Sequence, residues 1–407
     1  MRPKSFMLIA GEASGDLLGA ELVQALRRET EKAAPVFTND PQPLTTSLEP
    51  RFFGAGGPRM AAAGVDLAFD LTRHSVIGLS EAVKRVVMFR RLFRALLELA
   101  RHREPDAIIC VDFSWFNMHF ASAIKRYVRR RHDWFHDWTP KVIRYVSPQV
   151  WASREGRAYA LERDCDLLLS IFPFEKEWFA QRVPRLRVEF VGHPMAERYG
   201  KAAAAKGEAR AAGGTPMVLL LPGSRSGELR RHLPVVAEAA KRIRARREAR
   251  FRVVLPREEL LAYARPFEQA VPGLELQVGG LEEALRTTDV ALAKSGTITL
   301  ECAYFGVPAV VFYKTSLVTY LVGRPLVRVR HLAMPNLLAD ETVYPEFVQG
   351  AATPDNLANA VLALLEDRKR YAEVQEKLAK VVASLGGPGA SERAARAVLR
   401  VLATQAA

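Results

Sequence analysis

Cysteine is scarce in this sequence. Its 407 residues hold three, Cys110, Cys165 and Cys302, far apart and mostly in apolar runs. No CxxC pair occurs, so the sequence reads as carrying reduced, buried thiols, which fits a cytoplasmic address. Long uncharged apolar runs are also lacking. No stretch reaches about 18 such residues, which argues against a membrane-spanning helix. At the amino terminus Arg2 and Lys4 precede only a short apolar run, and Glu12 and Asp16 follow at once, so the long apolar core of a signal peptide is missing. No G-x-G-x-x-G follows the first apolar run, which speaks against a dinucleotide dehydrogenase. Acid is in deficit: 45 Asp and Glu stand against 59 Lys and Arg, a formal net charge of +14. That surplus favours an anionic partner, whether nucleic acid, an anionic membrane surface or phosphorylated substrates. A nucleic-acid surface would interleave aromatics with Lys and Arg on one strand face or a recognition helix. The aromatics here scatter instead, so no nucleic acid is expected.

What is present is an alternation. With 49% hydrophobic and 26% charged residues, the chain reads as globular and long enough for two or three domains. "KSFMLIAG", "PDAIICVDF", "KVIRYVS" and "CDLLLSIF" are continuous apolar runs of the buried parallel-strand type, with helix-like stretches between them. "APVFTNDPQPLTTSLEP", Ala34–Pro50, reads as loop. "ERYGKAAAAKGEARAAGGTP" reads as a linker. The alternation then restarts with "MVLLLPGSR", "FRVVLP", "DVALAKSGT" and "PAVVFYK". Two such blocks predict two doubly wound α/β domains facing a cleft. Residues 1–196 are expected to form an amino-terminal Rossmann-like domain, 197–384 a carboxy-terminal Rossmann-like domain, and 385–407 a terminal helix packing back on the first.

Several turns carry candidate chemistry. "GEASGDLLGA" follows the first strand like a phosphate loop, yet holds two carboxylates, Glu12 and Asp16. In the second block Gly223, Ser224 and Arg225 end a strand just before a helix, the edge where parallel sheets bind ligands; Arg225 can grip a diphosphate with paired donors. Ser295-Gly296-Thr297 opens another helix, with Ser295 as a fitting N-cap and Gly296 admitting a phosphate to backbone N–H groups. Glu301, further along that helix, can accept from ribose hydroxyls or face solvent. Asp112 ends a buried strand, where it is either a general base or a turn residue. His193 contacts either a phosphate or a hinge carbonyl. His132 and His136 have helical ligand spacing, but no third clustered His or Cys supports a metal, and none is expected.

The segment Ala82–Arg103 has the pattern of a helix with two apolar stripes. At about 100° per residue, Ala82, Val86, Phe89, Phe93, Leu96, Leu97 and Ala100 form one apolar stripe. Met88, Leu92, Ala95 and Leu99 form a second, and Arg90, Arg91, Arg94 and Arg101 crowd between them. Such a helix either docks on an anionic membrane or is buried on two sides with a solvated basic edge.

Taken together, "GEASGD", "GAGGPRM", "IGLSEAV", "YVSPQVWA", "FPFEKEWF", "FVGHPM", "LLPGSRSGEL", "SGTITLECAYFGVPAVVFYK" and "PNLLADETVYPEF" resemble, in kind and order, the lipid-A-disaccharide synthase family. The resemblance runs from Gly11 to about Phe347. It implies an inverting, metal-independent glycosyltransferase of the GT-B fold with no cofactor. Its donor would be UDP-2,3-diacylglucosamine and its acceptor 2,3-diacylglucosamine 1-phosphate (lipid X), joined by a β-1,6 link with release of UDP. It further implies a peripheral place on the cytoplasmic face of the inner membrane. Asp112 matches the family's strand-end Asp and Glu12 the Glu of its first motif. The nucleotide would lie against Arg225, the Ser295-Gly296-Thr297 turn and Asn336. Family members commonly read D-x-P-D-F-N where this chain has Asp112-Phe-Ser-Trp115-Phe-Asn117, so any role of the second Asp is absent or moved. Sibling GT-B transferases and epimerases lack "GEASGD" with "YVSPQVWA".

Overall fold

The computed structural model describes residues 3–33, 49–72, 82–204 and 214–404, and of residues 82–86 and 201–204 the backbone alone. It divides into two compact units, Met1–Pro194 with Pro388–Ala407, and Met195–Gly387.

The first unit alternates β1 (Ser5–Ala10), α1 (Ala13–Ala33), β2 (Arg51–Gly56), α2 (Pro58–Ala62), β3 (Asp66–Asp70), α3 (Ala82–Arg103), β4 (Ala107–Val111), α4 (Ser114–Arg131), β5 (Lys141–Tyr145), α5 (Ala158–Asp164), β6 (Leu167–Ser170), α6 (Pro173–Arg182) and β7 (Val188–Phe190). The second holds α7 (Met195–Ala204), β8 (Met217–Leu221), α8 (Ser226–Arg246), β9 (Arg250–Leu255), α9 (Leu261–Ala270), β10 (Leu274–Val278), α10 (Leu281–Arg286), β11 (Val290–Lys294), α11 (Ile298–Tyr304), β12 (Ala309–Tyr313), α12 (Leu317–Gly323), α13 (Met334–Ala339), β13 (Glu346–Val348), α14 (Pro354–Glu366) and α15 (Arg368–Ser384). The chain ends in α16 (Ala390–Ala403), which belongs to the first unit and packs along α1.

Both sheets are parallel. Their strand orders are β3-β2-β1-β4-β5-β6-β7 and β10-β9-β8-β11-β12-β13. The apolar runs explain the central strands: Phe6–Ala10 and Ala107–Val111 are buried on both faces, as parallel strands between helix layers must be. Each order reverses once, between β1 and β4 in one sheet and between β8 and β11 in the other. Such reversals open a crevice beyond the strands' carboxyl ends, the usual ligand position in open α/β sheets.

The tail helix is held by its small, buried face, Ala390, Ala394, Ala397 and Val398, and by polar ties, among them Arg396 with Glu29 at 3.5 Å. Arg28 pairs with Glu392 at 2.6 Å, Arg393 Nε donates to the Val191 carbonyl at 2.7 Å, and Arg400 pairs with Glu189 at 2.5 Å.

One expectation is corrected. The stretch read as linker begins as α7, because its Ala-rich composition favours helix. Tyr199 on α7 donates to Glu301 Oε2 at 2.9 Å and packs on the rings of Tyr304 and Phe305. Most of the Ala34–Pro50 loop, the Ile77–Glu81 part of one motif, residues 205–213 and the side chains of Ala82 and Val86 lie outside the described residues.

Candidate active site

In the first unit, the turns after β1 and β4 flank the strand-order reversal. Asn117, fully buried at the start of α4, locks them together. Its Nδ2 lies 2.8 Å from the carbonyl of Asp112, 3.2 Å from that of Val111 and 3.3 Å from that of Ile9. A methyl added at Gly15 would sit 3.8 Å from Asp112 Cβ, at van der Waals distance, so the first turn lies close against the second. Asp112 is half-buried there and Glu12 is exposed.

The charge in the first turn now has an explanation. Asp16 is buried, and its carboxylate accepts from three backbone N–H groups: Gly57 at 2.7 Å, Arg59 at 3.0 Å and Met60 at 3.0 Å. It thus occupies the amino end of α2, where the peptide dipoles favour an anion. "GEASGD" and "GAGGPRM" are two halves of one structure, and Asp16 fills the place that a bound phosphate would take in a phosphate loop.

Strain concentrates at the same edge. Asp112, Phe113 and Val146 have φ of 44°, 47° and 69°; for a β-branched residue such as Val146 that is a costly conformation. Beneath Asp112 lies Arg144, fully buried on β5. Its Nη2 reaches Ser114 Oγ at 3.3 Å and its Nε the Val146 carbonyl at 3.4 Å, while Nη1 has no hydrogen-bond partner. Burial holds its pKa below the usual arginine value, and the charge of Asp112 is among those opposing that shift. Trp115 is 61% exposed and lies against the His119 ring, 4.5 Å between centroids.

Further along the same sheet, "YVSPQVWA" and "FPFEKEWF" also meet. Trp151 Nε1 donates to Glu175 Oε1 at 2.9 Å, and Glu175 Oε2 is buried without a partner. Burial pushes the Glu175 carboxyl up to about 7, against the hydrogen bond from Trp151, which favours ionisation. His193 is buried with its ring tilted 40° to that of Phe172, 5.5 Å between centroids.

In the second unit, the turns after β8 and β11 flank the other reversal. Gly223, with φ 129°, needs glycine, since a Cβ would meet Glu228 Oε2 at 2.5 Å. Glu228 accepts from Ser224 N at 3.0 Å and pairs with Lys294 at 3.1 Å, joining the two turns. Burial opposes its charge, but Lys294 and the Ser224 N–H outweigh burial and hold its carboxyl below the usual range. Arg225 is the exposed N-cap of α8. Gly296, at φ 150°, lies beside Lys294, whose Nζ would be 3.6 Å from an added Cβ.

Four expectations change in detail. Ser295 does not cap α11; its Oγ donates to the Leu332 carbonyl at 2.9 Å, and the helix starts after exposed Thr297. Glu301 is largely buried, so it does not face solvent, and desolvation raises its carboxyl pKa although the Tyr199 hydroxyl opposes the shift. Asn336 is fully buried, with both amide ends bonded within the chain. Oδ1 accepts from Val343 N and Tyr344 N, and Nδ2 donates to the Tyr344 carbonyl and to Glu346. On α3, Leu92 and Leu99 pack against the core cluster, while Val87, Arg90, Arg91, Arg94, Ala95 and Glu98 are exposed and Met88 is half-buried. His136 pairs with Asp133 at 3.0 Å, and no group of three or more possible metal-binding His, Cys, Asp or Glu occurs among the described residues.

Residues 6–401 match the lipid-A-disaccharide synthetase family. The lipid-A-disaccharide synthase of Myxococcus xanthus is 36% identical over 409 residues, covering 98% of each chain. The chain belongs to the lipid-A-disaccharide synthetase family. It is a glycosyltransferase of lipid A disaccharide synthesis. Two solved structures agree in fold. The glycosyltransferase of kitacinnamycin has a TM-score of 0.61 at 18% identity, with 99% of this chain and all of that one covered. The UDP-GlcNAc 2-epimerase of Neisseria meningitidis, bound to UDP-GlcNAc, scores 0.60 at 11% identity, with 98% and 100% covered. The fold is therefore GT-B, shared by transferases and epimerases, and sequence rather than architecture decides between them.

Residue patterns alone did not single out Asp16's partners, Arg144, Glu175, Glu228 or Lys294. Only the motif order, with Glu175 in "FPFE" and Glu228 in "SRSGEL", pointed at any of them.

Two outcomes follow for these buried carboxylates. Asp16→Ala removes the acceptor of three N–H groups and should destabilise the first unit by roughly 3 kcal/mol, read as a lower urea midpoint, with Asp16→Asn intermediate. An unchanged midpoint would refute the cradle. For Glu175, the folded protein keeps a proton that the unfolded chain releases above its ordinary pKa of 4.5. Its contribution to stability is therefore full below that pH and is lost as pH rises towards 7. Glu175→Gln keeps an acceptor for Trp151 and should flatten that decline in melting temperature between pH 5 and 8; parallel curves would remove Glu175 as its source.

Proposed function

We propose that the chain joins UDP-2,3-diacylglucosamine to 2,3-diacylglucosamine 1-phosphate (lipid X), giving the β-1,6 disaccharide 1-phosphate and UDP. The observation that carries the assignment of roles is the placement of the singled-out turns. Each unit's pair flanks its own strand-order reversal. One pair is rich in carboxylates and the other offers exposed Arg225 and the Gly296 turn. The acceptor hydroxyl belongs with the first and the diphosphate with the second.

The acceptor's 6-hydroxyl oxygen attacks the anomeric carbon of the donor. As the bond from that carbon to the diphosphate oxygen breaks on the opposite face, Asp112 takes the hydroxyl proton. Arg225, at the head of the 21-residue α8, meets the charge growing on the departing UDP, together with Lys294 and the backbone at Gly296 and Thr297. Gly223 and Ser224 shape that turn. Glu301 accepts from a ribose hydroxyl with the oxygen that Tyr199 does not use. Asn336 acts at a distance, through Glu346, by fixing the segment whose Leu332 carbonyl takes the Ser295 hydroxyl. Glu12, exposed in the first turn, meets the acceptor sugar, and His193 steadies the end of the first unit. No cofactor and no metal enter this scheme.

Both substrates carry acyl chains and phosphate, so we place the enzyme peripherally on the cytoplasmic face of the inner membrane. No helix among the described residues is long and apolar enough to cross a membrane. Arg90, Arg91 and Arg94 are the proposed contacts of α3 with lipid phosphates, with Val87 and Met88 beside them.

Two measurements test this scheme. Donor and lipid X should yield disaccharide and UDP with a chelator present, and Asp112→Asn should cut turnover about 10²–10⁴-fold with UDP affinity unchanged. No product would sink the reaction, and near-normal turnover would remove Asp112 as base. Replacing Arg90, Arg91 and Arg94 with Gln should weaken binding to anionic vesicles at low salt by about 10²-fold; unchanged binding would return α3 to a solvated basic edge.

A further inference from the structure

The second unit carries a surface that the scheme above leaves unused. Between β12 and α13 the chain reads "TSLVTYLVGRPLVRVRHLA". Leu317, Val318, Leu321 and Val322 on α12 are 68%, 73%, 61% and 64% exposed, and Leu326 and Val327 just beyond are 45% and 44% exposed. At helical spacing the first four fall within about 140° of arc, a single apolar face turned to solvent. An exposed patch this dense marks a contact surface.

The segment is not a loose loop. At its root His232 Nε2 lies 2.9 Å from the Lys314 carbonyl, Thr315 N donates to Gln349 Oε1 at 2.7 Å, and Ser316 Oγ caps α12 at Thr319 N. At its far end Glu346 accepts from Leu332 N and Ala333 N, and the Leu332 carbonyl takes the Ser295 hydroxyl. Both ends are thus pinned to the carboxyl edge of the sheet, one of them to the turn proposed to hold the donor's diphosphate.

Charge decides the occupant. From Lys314 to Ala339 there is no acidic residue, while Arg324, Arg328 and Arg330 are exposed among the aliphatics. A second copy seated by two-fold symmetry would press this basic patch against itself. Aliphatics interleaved with arginines suit an anionic bilayer, where alkyl groups enter the headgroup boundary and guanidinium groups meet phosphate. We propose that residues 317–330 form a lipid-bilayer contact of the second unit, which seats the donor turn at the membrane surface. This deepens the peripheral placement proposed above and rests on it.

The test compares the full chain with a variant carrying Leu317→Ser, Val318→Ser, Leu321→Ser and Val322→Ser, all at exposed positions. Binding to phosphatidylcholine–phosphatidylglycerol vesicles is measured by co-sedimentation in high salt, which screens the arginines of α3. Circular dichroism and UDP affinity report folding. The variant should lose about tenfold or more of the salt-resistant binding, with UDP affinity unchanged. Equal binding by both proteins would overturn the proposal. So would a raised KM for acylated donor in detergent with vesicle binding intact, which would assign the patch to the donor's own chains. Loss of self-association by the variant, with vesicle binding intact, would assign it to a second copy and likewise overturn it. Because the readout is vesicle binding, failure of the disaccharide assay is seen separately from failure of this surface.

Discussion

Reversal of strand order in a parallel sheet is the constraint on which this protein is built. Parallel strands need crossover helices, and right-handed crossovers send the helices to opposite faces once the order turns back. Between β1 and β4, and again between β8 and β11, neighbouring strand ends are therefore left without a covering helix. Polar turns can stand there with their backbone groups exposed to a ligand. Each unit closes the gap beneath with one polar tie: Asn117 joins the ends of β1 and β4, and the Lys294–Glu228 pair joins the turns after β8 and β11.

The same edges show how a chain can spend carboxylates on its own backbone. Asp16, Glu228 and Glu346 each accept from N–H groups at a turn or helix start. A tethered carboxylate reaches such a cradle with far less loss of freedom than a free anion, so it wins the position. The strand–glycine–helix pattern consequently signals a cradle without saying what fills it. In the first unit Asp16 fills it. In the second, Glu228 takes the Ser224 N–H, and the groups left outward are Arg225 and the Gly296 turn.

The two α/β units were legible because strands buried on both faces read as unbroken apolar runs, and Phe6–Ala10 and Ala107–Val111 do so without ambiguity. Glycines at Gly223 and Gly296 were legible because only that residue tolerates their backbone conformation. Side-chain partners were not. Ser295 has the look of an N-cap, but the Leu332 carbonyl, 37 residues away, takes its hydroxyl. Leu92 falls on a second stripe by angle alone, yet the core beneath α3 is wide enough to reach it. Arg144 reads as one polar residue in a strand, and nothing local says that it is buried. The exposed face of α12 is not legible either, because an apolar helix after a buried strand reads as core until its neighbours are known.

Trp115 limits what the first unit has to work with. An exposed indole lying on His119 brings no second carboxylate towards Asp112. What stands beside Asp112 is a buried cation, Arg144, held by Ser114 and the Val146 carbonyl under a strained backbone. Burying a guanidinium with one nitrogen unpaired is costly, and left-handed backbone at Phe113 and Val146 adds to that cost. Such costs persist only where surrounding structure over-determines them, and here Asn117 and the β1–β4–β5 ladder do so. The strain and the buried charge both act on the short stretch that carries Asp112. In the proposed reaction they hold its carboxylate at the strand-order reversal, so that base work in this chain rests on one carboxylate and the cation beneath it.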